Sequence, residues 1–239
     1  GKIIMIDIDK NEILKFKKKI NLSIVADLNN FLKKFYKFIN YKNLSKKKIE
    51  NWLYLSRLQK NKYNVFKENH KNYVKLNSFL FIKTLSQLAK EHTNIVTDMG
   101  TSFTCTMQSM NLKKNQRLFT SSGLAAMGWG IPGSIGSYFG NKKKNIICVA
   151  GDGGAMFNIQ ELQTIVHHKI PLKIFILFNN GYLTIKLKQK KNFKKFVGSD
   201  PQSGISCPDF TKIAKAFGIK SSKISNSKNL NQKINNVLK

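Results

Sequence analysis

The sequence predicts an α/β fold, a doubly wound parallel sheet with helices on both faces, preceded by part of another α/β domain. Three observations carry that expectation. Apolar runs of strand length at 95–97, 146–149 and 172–178 each end in a polar turn that contains glycine. Segments with apolar residues at helical spacing lie between them, which is the alternation of parallel strands with crossover helices. Near the start of the chain, one strand-like stretch and one amphipathic helix stand without the layers that would bury both faces of a sheet.

In chain order, residues 2–9 (KIIMIDID) alternate as a strand, and a Lys-rich segment leads to IVAD at 24–27. Leu28, Phe31, Leu32, Phe35 and Ile39 then recur at helical spacing, with Asp27 as N-cap. Residues 1–40 are therefore expected to close a preceding domain. Residues 41–76, rich in Lys and Asn, read as a linker holding one helix, pinned to a domain by Trp52, Leu53, Leu55 and Leu58. Its aromatic residues Trp52, Tyr54, Tyr63 and Phe66, interleaved with lysines, offer the alternative of stacking on nucleic-acid bases.

Residues 77–239 read as the last domain. Asn77 is placed to cap a helix carrying Phe81, Leu85 and Leu88. The strand at 95–97 runs into Asp98-Met99-Gly100-Thr101-Ser102, where two hydroxyls either donate to phosphate oxygens or begin a helix. Residues 118–136 hold five glycines, Gly123, Gly128, Gly130, Gly133 and Gly136. That density costs backbone entropy and is offset by close helix packing or by backbone exposed to a ligand. Pro132 fits the first turn of a helix running through Tyr138. Beyond Tyr182 the chain is polar and turn-rich, as in a lid, until Asp209 caps a helix through Phe217. The Asn/Lys-rich stretch 221–239 offers no closing strand, and the domain is expected to be cut short there.

The most informative stretch is 151–182. The strand at 146–149 stops at Gly151-Asp152-Gly153-Gly154, and Phe157, Leu162, Ile165 and Val166 follow at helical spacing. The next strand stops at Asn179-Asn180-Gly181. A right-handed β-α-β unit brings the carboxyl ends of its strands to one sheet edge, beside the helix start, so Asp152 and Asn179 come together. Asp-Gly and Asn-Gly each make ordinary turns. At two strand ends of one unit they also form an oxygen donor set, with Asp152 as anion, Asn179 as amide and the backbone at Gly181 as carbonyl, suited to magnesium. Gly153 and Gly154 let N–H groups at a helix start approach an anion closely, and a magnesium diphosphate satisfies both halves.

GDGG, a helix, then NNGY up to Tyr182 resembles the motif of the thiamine-diphosphate enzymes that include acetolactate synthase and pyruvate decarboxylase. Phe178 stands at the first Asn of the family's pair, and Asn179 at the metal-binding one. The resemblance implies the thiamine-diphosphate-binding fold, with Asp152, Asn179 and the Gly181 carbonyl holding Mg2+. The family's loop at the distal diphosphate falls on Met99, Gly100, Thr101 and Ser102. Residues 118–136 are similar to the family's SGGLGxMGxGLPAAIGA run, which puts the wedge beneath the bent cofactor at Met127 and the carbonyl that meets its amino group at Ala125. GYLTI and VGSDPQSGISCPDF resemble the acetolactate-synthase-like subgroup. The resemblance further implies a 2-keto acid substrate, decarboxylation with or without carboligation, and a homodimer or tetramer with the site at a subunit interface. It places the activating glutamate in an N-terminal domain outside these residues, so no catalytic residue is assigned and this segment alone is expected to be inactive. FAD binding is left open.

Composition bears on the alternatives. The chain carries 42 Lys and Arg against 12 Asp and Glu, a formal charge of +30. The lysines are dispersed, and arginine, the better base and phosphate reader, occurs only at Arg57 and Arg117. Specific nucleic-acid binding is therefore not expected, although a non-catalytic basic module or decayed remnant with polyanion affinity is the rival reading. Cys105, Cys148 and Cys207 form no disulfide framework, consistent with a reducing, cytoplasmic setting. His167 and His168 have no metal-ligand spacing, and no apolar run is long enough to span a bilayer.

Overall fold

The computed structural model describes residues 2–16, 19–39, 45–66, 76–142 and 144–239. They fall into two compact units, Gly1–Tyr63 and Asn64–Lys239. In the first, strands β1 (Ile4–Asp7) and β2 (Leu22–Val25) pair in parallel, Ile4 opposite Leu22 and Asp7 opposite Val25. Helix α1 (Lys10–Leu14) joins them, capped by Asp9, whose carboxylate accepts from the Asn11 amide at 2.8 Å. Helix α2 (Leu28–Phe38) starts where its spacing places it, with Asp27 Oδ1 accepting from the Asn30 N–H at 3.0 Å. Its Leu28, Leu32 and Phe35 are exposed, and Phe31 stacks on Phe35.

Helix α3 (Lys46–Lys62) is the single helix expected in the linker, capped by Ser45, but it is exposed along its whole length. Trp52, Leu53, Leu55 and Leu58 therefore do not pin it by a buried side. Its apolar residues are distributed around the helix and form no single stripe that could be covered. The remaining parts of the 41–76 stretch, 41–44 and 67–75, lie outside the described residues.

The second unit contains a four-stranded, wholly parallel sheet of β3 (Thr93–Thr97), β4 (Arg117–Phe119), β5 (Asn145–Gly151) and β6 (Leu172–Leu177) in the order β4-β3-β5-β6. Helix α4 (Ser78–Leu88) precedes it, and the Asn77 side chain accepts from the Phe79 and Leu80 amides. Helix α5 (Thr101–Ser109) connects β3 to β4, and α6 (Gly130–Gly140) connects β4 to β5. Between β5 and β6 run α7 (Asp152–Ala155), a 3-10 turn at Met156–Asn158 and α8 (Glu161–His167). After β6 come α9 (Leu183–Asn192), α10 (Phe210–Ala216) and α11 (Leu230–Leu238).

Side chains alternate along β5 between two cores. Ile147 and Val149 join Phe81, Ile82, Leu85, Cys105, Leu230 and Ile234 on one face. Cys148 and Ala150 join Ile131, Ile135, Leu162 and Ile165 on the other. The sheet is thus wound on both faces, as the period of the sequence requires. The chain leaves β3 for β4 on one side and returns to β5 and β6 on the other, so winding reverses between β3 and β5. That reversal opens a crevice at the carboxyl ends of these two strands, the usual ligand position in an open α/β sheet.

Four features differ from the sequence expectation. Strand β4 is only three residues long and its neighbouring glycines hide it. The helix expected after Asp152 is interrupted: α7 takes in Gly153 and Gly154, and the chain then tightens into a 3-10 turn at Met156–Asn158 before α8. The stretch after Tyr182 is helix α9 rather than irregular chain, built from good helix formers with Lys190 and Lys191 in the last turn. The stretch 221–239 ends in α11, where Leu230 and Ile234 on one face fill the α4 side of the core.

Candidate functional site

Three turns converge on the crevice. At the end of β5, Asp152 is 1% exposed and its carboxylate gathers backbone donors. Oδ1 accepts from the Gly153 N–H at 2.9 Å, and Oδ2 accepts from the amides of Asn179 at 2.9 Å, Asn180 at 2.5 Å and Gly181 at 3.3 Å. The two turns predicted to meet across the β-α-β unit do so through this one side chain. Oδ1 accepts from a single backbone N–H, and the Cys207 thiol also bonds this carboxylate. Asn179 is exposed at the strand end, while Gly181 is buried. A carboxylate, an amide and a carbonyl oxygen are hard donors of the kind that could hold a cation such as magnesium.

Glycines permit the close approaches. A Cβ at Gly153 would lie 2.4 Å from the Tyr182 ring, and at Gly181 (φ +150°) one would lie 2.4 Å from the Ser199 carbonyl oxygen. The Tyr182 amide donates to that same carbonyl at 2.9 Å, so the segment around Ser199 is fastened to the turn. Lys186 on α9 pairs with Asp200 at 2.5 Å. This hydrogen bond, then those from Ser203, holds the Asp200 carboxyl below its usual range.

The second turn follows β3. Met99, Gly100 and Thr101 are half-buried and Ser102 is buried. Ser102 donates its hydroxyl proton to the carbonyls of Asp98 (3.1 Å) and Met99 (2.9 Å), serving the turn itself. Helices α5, α7 and α9 begin here without side-chain hydrogen bonds from their N-cap residues, and in α7 the Gly153 N–H is taken by Asp152 Oδ1. A Cβ on Gly100 would come within 3.9 Å of Thr184 Oγ1, so the starts of α5 and α9 are neighbours.

The third turn is the glycine-rich loop. Ala125 adopts φ +54°, a left-handed conformation that disfavours a side chain, at a position where the resembling run has glycine. Ala125 is exposed, Met127 half-buried and Gly128 buried at φ +86°. Asn158 donates its side-chain N–H to the Gly128 carbonyl at 2.8 Å, tying this loop to the segment after the Asp152 turn.

Sequence reasoning passed over two residues of this site. Asp98, 1% exposed, accepts from the Met99 and Gly128 amides, and burial pushes its carboxyl above the usual carboxylate range against the pull of those bonds. Its signal was present, since it ends β3 as Asp152 ends β5. Cys207 donates its backbone N–H to Asn180 Oδ1 at 2.9 Å. Burial first, and the neighbouring Asp152 second, push its thiol up to about 11. Nothing in its local sequence marks it.

The chain is 28% identical over 241 residues to the acetolactate synthase large subunit of Cyanidium caldarium, covering 100% of this chain and 40% of that protein. It is 29% identical over 250 residues to the chloroplastic acetolactate synthase 2 of Zea mays, covering 100% of this chain and 38% of that one. With the acetolactate synthase large subunit of Pyropia yezoensis it shares 34% identity over 135 residues, 56% of this chain and 22% of the relative. The chain thus spans about two fifths of the length of the relatives it matches end to end. Residues 98–239, which contain all three turns, match the family described as "Thiamine pyrophosphate enzyme, C-terminal TPP binding domain", and the chain belongs to that family of thiamine-diphosphate-binding α/β domains.

Proposed function

We propose that the chain is the portion of an acetolactate-synthase-like 2-keto acid decarboxylase or carboligase that binds thiamine diphosphate and magnesium. The observation that supports this most is the single buried carboxylate of Asp152, which draws the successive amides of residues 179–181 to the strand end where a metal donor set is needed. Asp152, the Asn179 amide and the Gly181 carbonyl hold the cation. The uncapped helix start at Gly100–Ser102 and the glycine turn at Gly153–Gly154, with Tyr182 beside them, would receive the diphosphate. Met127 and the Ala125 carbonyl would contact the rings of the cofactor.

When bound, thiamine diphosphate supplies a nucleophilic carbon and an electron sink for breaking the bond beside a ketone. The side chains of this chain bind, bend and shield, and none of residues 1–239 is assigned as the proton-moving group. Residues 1–239 on their own are expected to hold the cofactor without releasing carbon dioxide from pyruvate. A homodimer or tetramer that completes the site at a subunit interface, in a cytoplasmic setting, belongs to the same proposal. Among the described residues no helix is long and apolar enough to cross a membrane.

Calorimetry with thiamine diphosphate, with and without magnesium, tests the reading. Affinity should require the metal and fall by about 10-fold or more in Asp152→Ala, as losses around a metal site do. Metal-independent binding, or binding untouched by that substitution, would count against it. A salt-dependent nucleic-acid shift greater than that of an equally charged control would favour the basic-module reading instead.

A further inference from the structure

We propose that Asp98 is the positioning residue that locks the glycine-rich loop, with Ala125 and Met127, onto the diphosphate turn; this rests on the cofactor reading above. Asp98 is fixed from behind. Its amide donates to the Val149 carbonyl at 2.9 Å on β5, and the Ser102 hydroxyl donates to its carbonyl at 3.1 Å. Its carboxylate faces forward to two loops at once. Oδ1 accepts from the Met99 N–H at 2.7 Å, and both oxygens share the Gly128 N–H at 3.1 Å, one residue beyond Met127.

Gly128 is held on its other side too. Its carbonyl accepts from Asn158, and a Cβ there would sit 2.6 Å from the Phe157 Cβ. Asp98 and Asn158 therefore clamp the amide and the carbonyl of one residue. On its far side the carboxylate occupies the volume a side chain at Gly154 would need, since a Cβ there would lie 2.4 Å from Oδ2. One side chain thus sets the distance between the wedge loop and the turn two residues past Asp152. Asp98 takes part in no ion pair among the described residues. Burying an unpaired carboxylate costs stability that neutral amide donors only partly offset. An asparagine here would keep one acceptor and turn an NH2 donor toward backbone N–H groups, so the carboxylate is explained by its two acceptor oxygens and the two loops they hold.

The test uses the full chain and its Asp98→Asn variant. Expected are a variant that still melts cooperatively and faster hydrogen exchange at the Gly128 amide. Affinity for magnesium thiamine diphosphate should fall by about 10-fold or more, while affinity for magnesium with inorganic diphosphate stays within about 2-fold, because the Asp152 turn is left intact and only the wedge loop is released. Equal loss of both ligands together with a lowered melting temperature would mark a merely structural residue and overturn the proposal. So would wild-type exchange at Gly128 in the folded variant. If Asp98→Asn does not fold, Asn158→Ala, which opens the other half of the clamp, must give the same split between the two ligands, and equal loss overturns the proposal. If the wild type binds neither ligand, the cofactor reading fails, and the exchange rate at Gly128 still decides whether Asp98 holds the loop.

Discussion

Two aspartates of the second unit titrate in opposite directions, and that difference can be read in stability. Asp98 has a folded-state pKa above its ordinary 3.8 because burial disfavours its charge. The native state then holds the proton more tightly than the unfolded chain, and stability falls as pH rises from about 3.8 through the folded pKa, leaving a standing cost at neutral pH. Asp200 is the reverse. Its pKa lies below 3.8 chiefly through the hydrogen bond from Lys186, so its contribution is present above about 3.8 and is lost as pH falls through the folded value. Melting curves between pH 3 and 7 separate the two. Asp98→Asn should gain on the wild type as pH rises from 4 to 7, and Asp200→Asn should lose on it over the low end of the range. Parallel curves for either variant would show that its partner groups do not set its charge.

At the scale of elements, the parts legible in the sequence are those whose signal is local. Helices α2, α4 and α10 begin at the Asp27, Asn77 and Asp209 caps that the sequence places there, and strands β3, β5 and β6 fall on their apolar runs within a few residues. The Asp152 and Asn179 turns were legible because a β-α-β unit has one handedness and so one meeting place. What stayed hidden depends on contacts distant in sequence. Asp98 looks like the start of a turn until the loop 30 residues later closes on it. Helix α11 looks like an Asn/Lys-rich tail until α4 is there to receive it. Its Ile234 is 0% exposed in a core with Ile82 and Leu85. Removing that side chain leaves a cavity the sheet cannot close, so Ile234→Ala should cost about 2–5 kcal/mol in urea unfolding. A loss under about 0.5 kcal/mol, the range of surface substitutions, would mean that α11 is not part of the cooperative core.

For the whole molecule, charge dominates the response to solvent. A formal +30 is opposed by few acids, and among the described residues only Lys15 with Glu12 and Lys186 with Asp200 form ion pairs. Like charges dispersed over a compact surface repel one another and favour expansion. Salt shortens the reach of that repulsion from about 30 Å at 0.01 M to about 8 Å at 0.15 M. The melting temperature should therefore rise with sodium chloride over this range, by a few degrees if screening restores about 1 kcal/mol. This gain is non-specific, and it separates the surface from the site. At matched ionic strength, magnesium with inorganic diphosphate should add a further, saturable increment that grows as the logarithm of ligand concentration over its dissociation constant. Asp152→Ala should abolish that increment and leave the sodium chloride response intact, because the lysines that feel the salt are spread over the chain while the diphosphate turn depends on one carboxylate. An increment that survives Asp152→Ala would assign the diphosphate to the basic surface rather than to the crevice.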